Sequence, residues 1–121
     1  MDIIRLKNME FYGHTGYYPE EKDKGQRFVI SGEIFYENIR AKVTDDLRDT
    51  CDYSLIYSKI KDIVESDRSD LIEHLAYVIA GEVLYAAQGA LRTIVTVGKP
   101  ECPIEGSFET MEVTVTRDRG E

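Results

Sequence analysis

Apolar residues alternate with polar ones from the start of the chain. Ile4 and Leu6 keep one phase, Met9 and Phe11 keep the other, and the slip falls near Asn8. That pattern predicts a strand interrupted by a bulge. A loop rich in glycine and charge follows, GHTGYYPEEKDKG. Phe28, Ile30, Gly32, Ile34 and Tyr36 then alternate with Arg27, Ser31, Glu33 and Glu37, which predicts a second, long strand. Gly32 in its middle predicts a bulge or close packing.

Residues 44–52, TDDLRDTCD, are polar and turn-like, and after them the period lengthens. Ile56, Ile60, Ile63 and Val64 recur at helical spacing, with Asp52 or Ser54 able to cap the start. A second helix is predicted from Ser69 or Asp70, with Leu71, Ile72, Leu75, Ala76, Ile79, Val83 and Leu84 as its apolar stripe and Gly89 as its stop. Two strands close the chain, Thr93 to Val97 and then Met111, Val113 and Val115 alternating with Glu112, Thr114 and Thr116. The order ββααββ argues for an α+β fold, an antiparallel sheet with two helices on one face. No repeat, low-complexity tract or linker divides residues 1–121, so one domain is expected. Four strands covered on one side leave open edges, which pairing across subunits would satisfy.

Composition narrows the partners. There are 23 Asp and Glu against 15 Lys and Arg, a net charge of −8, which argues against nucleic acid or an anionic membrane surface. Cys51 and Cys102 are isolated, the opening MDIIRLKNMEF has no apolar leader core, and the uncharged stretches are too short to span a membrane. A reduced, cytoplasmic protein is expected.

Candidate chemistry is thin when each residue is taken alone. Glu73 closes the sequence Asp70-Leu71-Ile72-Glu73, which has capping-box spacing; the alternative is a carboxylate receiving two bonds from a guanidine-like edge. Lys99, in GKPECPIEG, is either a solvated turn residue or a lysine positioned for proton transfer or Schiff-base chemistry. Tyr53 can pack at a helix start, stack on a flat ring or pass a proton. His14 and His74, with the two cysteines, have no metal-ligand spacing, and there is no P-loop, GxGxxG or GxSxG.

Read together, the segments say more. FYGHTGYYPEEKDKGQRF, DDLRDTCDYSLIY, LIEHLAYVIA, GKPECPIEG and the final TVTR resemble the dihydroneopterin aldolase family in order and spacing, over essentially the whole chain. The resemblance implies the tunnelling (T-) fold, with rings of four subunits, usually stacked as octamers, and sites between neighbours. It implies that Glu73 anchors the amino-pyrimidinone edge of a pterin and that the backbone of Ile72 adds to that grip. Tyr53 would come from an adjacent subunit to contact substrate and take part in proton transfer. Glu21 would lie near the reacting side chain, and Lys99 would be the catalytic lysine. The implied reaction is retro-aldol cleavage of 7,8-dihydroneopterin, in which the ring C=N accepts the electrons, so no metal, cofactor or Schiff base is needed. Rival readings are an epimerase of dihydroneopterin or its triphosphate, for which Lys22, Lys24 and Arg27 are candidate phosphate contacts, a zinc-dependent pterin enzyme, and a non-catalytic pterin-binding protein. The zinc reading would need clustered histidines, and the non-catalytic one would be expected to lack Lys99 and Tyr53. Thr15, in Gly13-His14-Thr15-Gly16, stands where many relatives have histidine. Glu105 and Met111-Glu112 are further departures.

Overall fold

A computed structural model describes all residues 1–121. In chain order the elements are β1 (Asp2–Gly13), α1 (Pro19–Lys24), β2 (Gln26–Tyr36), α2 (Ala41–Thr44), a 3-10 turn at Leu47–Asp49, α3 (Tyr53–Ser66), α4 (Ile72–Ala86), β3 (Arg92–Lys99) and β4 (Met111–Asp118). The strands form one antiparallel sheet in the order β1-β2-β3-β4, and α3 and α4 pack on one face of it. The ββααββ order read from the periodicity is therefore observed, with three short helical turns inserted in the polar connections.

The phase slip in β1 is a real bulge. Leu6 pairs with Gly32 and Met9 with Ile30, so Lys7 and Asn8 together oppose Ser31. Asn8 takes up the strain with φ of 56°, and its backbone N–H donates to the Ser31 hydroxyl at 2.8 Å. Asparagine suits this position because it tolerates the left-handed region better than most residues. Gly32 itself is regular: a Cβ there would meet nothing within 4 Å, so the irregularity belongs to the strand opposite.

Burial follows the two periods. Every second residue of β2 from Gln26 to Tyr36 is buried, and Phe28, Ile30 and Ile34 meet Ile56, Ile60 and Val64 of α3 and Leu75, Ile79 and Val83 of α4 in one core. The other face is polar, with Arg5 on Glu33 at 2.7 Å and the Thr96 and Thr114 hydroxyls 2.8 Å apart. Asp52 caps α3 by accepting from the Ser54 N–H at 3.0 Å. Helix α4 begins later than its pattern suggests, at Ile72, and ends at Ala86, before Gly89. Asp70 is drawn instead into an ion pair with Lys22 at 2.7 Å.

The end of α4 is satisfied from the C-terminal segment. The Arg119 guanidinium donates to the carbonyls of Ala90 (2.6 Å), Leu84 (2.7 Å) and Ala87 (3.1 Å). Carbonyls of the last helical turn and of the loop after it thus share one cation. Arg119→Ala should destabilise the fold by about 2 kcal/mol, the range for losing charged hydrogen bonds. Chemical denaturation at fixed protomer concentration checks this, and a change within about 0.5 kcal/mol would mean that water replaces the guanidinium.

Candidate active site

Two chain segments distant in sequence meet at one end of the sheet. Tyr18 and Pro19 start α1, proline being suited to the first helical position. Glu21, three residues after the cap, turns back so that Oε1 accepts from the Tyr18 N–H at 3.2 Å. Gly25 ends the helix with φ of 72°, and its N–H donates to the Glu21 carbonyl at 3.0 Å. Gly16 lies flat against the carboxylate; a Cβ there would fall 2.5 Å from Glu21 Cδ, so only glycine leaves the room.

The acid so held is 4% exposed. Its Oε2 accepts from Gln26 Nε2 at 2.7 Å and from Lys99 Nζ at 2.9 Å. Gln26 opens β2 and Lys99 closes β3, so the sheet itself delivers both donors. Burial pushes the Glu21 carboxyl up, but the bonds from Lys99, Gln26 and the Tyr18 N–H, together with the lysine charge, hold it below the ordinary carboxylate range. A carboxylate with a depressed folded pKa contributes stability above its unfolded pKa and loses it as pH falls through the folded one. A cleft of about 160 Å³ opens beside the pair, lined by Glu20, Glu21, Lys24, Gly25, Gln26, Glu101 and Pro103.

Of the residues singled out in the sequence, Glu21 and Lys99 meet directly. Ile72 is buried at the first turn of α4, and Glu73 beside it is exposed. The helix starts on Leu71 with no side-chain cap, so of the two readings of Asp70–Glu73 the capping box does not form. Tyr53, first residue of α3, is 64% exposed and does not line the cleft. Gln26 carries no motif in the sequence. Its only signal was position, five residues beyond Glu21 and directly after the turn glycine. No group of three or more His, Cys, Asp or Glu side chains has the geometry of a metal site.

An ion pair 13% and 3% exposed, at the rim of a cleft and built from strand ends, is an arrangement that can hold or pass a proton. On a four-stranded α+β domain, it fits the class of small domains that work by acid–base chemistry. Comparison with known proteins makes the class specific. The family profile for dihydroneopterin aldolase matches residues 4–116. The chain is 39% identical to the dihydroneopterin aldolase of Bacillus subtilis, over 98% of this chain and 99% of that one. It is 37% identical to that of Staphylococcus epidermidis, over 97% of each. Among solved structures it superimposes on the Escherichia coli dihydroneopterin aldolase solved with neopterin, with a TM-score of 0.84 and 25% identity, over 97% of this chain and 99% of that one. The chain belongs to the dihydroneopterin aldolase family.

The pair generates a test of its own. In Lys99→Met the effect of burial on Glu21 loses its main opposition, so the carboxyl should titrate at a higher pH than in the parent. Carboxyl carbon NMR across a pH series reads it directly. A midpoint still below the ordinary range would mean that Gln26 and the Tyr18 N–H suffice.

Proposed function

We propose that the chain cleaves 7,8-dihydroneopterin by a retro-aldol reaction, giving 6-hydroxymethyl-7,8-dihydropterin and glycolaldehyde. The observation that carries this reading is the buried Lys99–Glu21 pair at 2.9 Å, in a chain of this family. The chemistry asks for little more than placed protons. A base takes the proton from the side-chain hydroxyl next to the bond that breaks, and that oxygen becomes the aldehyde of glycolaldehyde. The electrons of the broken C–C bond flow into the ring C=N, leaving an enamine. A proton delivered to the enamine carbon completes the hydroxymethyl product. Lys99 and Glu21 are assigned these transfers, since an amine fixed on a buried carboxylate has both a proton and a direction.

Glu73 is assigned the amino-pyrimidinone edge of the pterin, with backbone help from Ile72. Its exposure and its freedom from capping duty support this reading. Tyr53 is assigned to a neighbouring copy's site. That fits its position outside the cleft, and the unpaired edges of β1 and β4 give copies a way to join in a ring of four, single or stacked.

Lys99→Ala should lower turnover roughly 100- to 10,000-fold, the usual contribution of an acid–base group. Separation of pterin products from 7,8-dihydroneopterin reads it, with glycolaldehyde release marking the aldolase and monapterin alone marking an epimerase. Because the ring accepts the electrons, borohydride added during turnover should leave the intact mass unchanged. An adduct on Lys99 would overturn the mechanism while leaving the substrate standing.

Shared sites make a second test. Lys99→Ala and Tyr53→Ala subunits, each inactive alone, should regain part of the activity when co-expressed in one ring, and failure to complement would place Tyr53 in its own subunit's site or outside any. Glu73→Gln should weaken binding of a pterin product by about 2 kcal/mol.

A further inference from the structure

Thr15 is fully buried, and its hydroxyl donates to Asp67 Oδ2. The same oxygen accepts from the Ser69 N–H at 3.0 Å and the Ser69 hydroxyl at 2.5 Å. Around this hub, two further links join the same pieces of chain. The Gly16 N–H donates to the Ser69 carbonyl at 3.0 Å. Lys22 Nζ reaches the carbonyls of Arg68 (3.0 Å) and Ser69 (3.4 Å) and the Asp70 carboxylate (2.7 Å). The first piece, residues 15–22, contains Glu21, and the second, residues 67–70, is the turn that launches α4 and Glu73.

From this stitching we infer that Asp67, held by Thr15, is a positioning residue: it fixes the segment that carries Glu21 to the turn that carries Glu73. The inference rests on the proposed reaction, in which Glu73 grips the ring and Glu21 with Lys99 works on the side chain. A substrate gripped at one end reacts at the other only if the two are held in register, and a misplacement near 1 Å can lower turnover about 100-fold. The hub has the properties this requires. Burial pushes the Asp67 carboxyl up, and the bonds from Ser69 and Thr15 and the nearby His74 more than reverse it, so the acceptor stays charged and its bonds strong. The position where many relatives have histidine is thus occupied by a buried donor whose partner lies 52 residues away.

The experiment compares Thr15→Val, which keeps shape and loses the donor, with Thr15→Ser, which keeps the donor. Asp67→Asn is carried alongside, since it spares the buried Thr15 site. In Thr15→Val and Asp67→Asn, kcat should fall about 10- to 100-fold while the affinity for 6-hydroxymethylpterin stays within about twofold, because each end of the site remains intact. Thr15→Ser should recover most of kcat. Hydrogen exchange at the Gly16 amide, which bonds across the seam, should quicken in the valine variant and return in the serine one. Unchanged kcat with a quickened Gly16 amide would sink the positioning role alone. A parallel loss of kcat, pterin affinity and melting temperature in all three variants would make the hub merely structural and overturn it. A parent protein that does not turn over 7,8-dihydroneopterin would instead bring down the reaction, and this inference with it, whatever the amide does.

Discussion

Keeping one carboxylate charged while almost excluded from water sets much of this architecture. Moving a carboxylate out of water costs several kcal/mol unless donors replace the solvent. Glu21 finds them in three places: the backbone of Tyr18, the start of β2 at Gln26 and the end of β3 at Lys99. Each donor constrains the chain around it. The six-residue α1 must begin on Pro19 and stop at Gly25, and Gly16 must carry no side chain. β3 must run its full length before the lysine arrives at the right height. The sheet therefore acts as a ruler between groups 78 residues apart.

The same arrangement explains why the site is fragile in one direction. Removing either member of a buried pair costs more than the pair contributes, because the survivor is stranded. Exposed pairs elsewhere, such as Arg48 with Asp46 at 2.7 Å, carry no such penalty because water takes the partner's place.

The main strands and helices were legible because one face of each is buried, which imprints a period of two or 3.6 on the sequence. The bulge at Asn8 was visible for the same reason, as a break in that period. What the periodicity did not reveal was where α4 begins. Asp70 has the spacing of a cap, but Lys22, 48 positions earlier, competes for it, and local reasoning cannot see a distant cation. The site divided along the same line. Lys99 and Glu21 came forward through family resemblance, whereas Gln26, Thr15 and Asp67 are ordinary polar residues whose importance arises only when the fold makes them neighbours. Thr15 stands out as a departure, yet nothing in its surroundings in sequence points to an aspartate on the far side of α3.

The extra residue in β1 leaves facing unchanged on both sides: Ile4 and Leu6 look toward the helices, and so do Met9 and Phe11. Without Asn8, an unbroken alternation would give the same inward set. The irregularity therefore adds bend and twist and nothing to the core. In a sheet whose two edges are joined to further copies, the bend of each unit fixes how many units make a closed circle. A deletion at that one position, which spares the core and loses only the surface bond to Ser31, would then be a change of polygon.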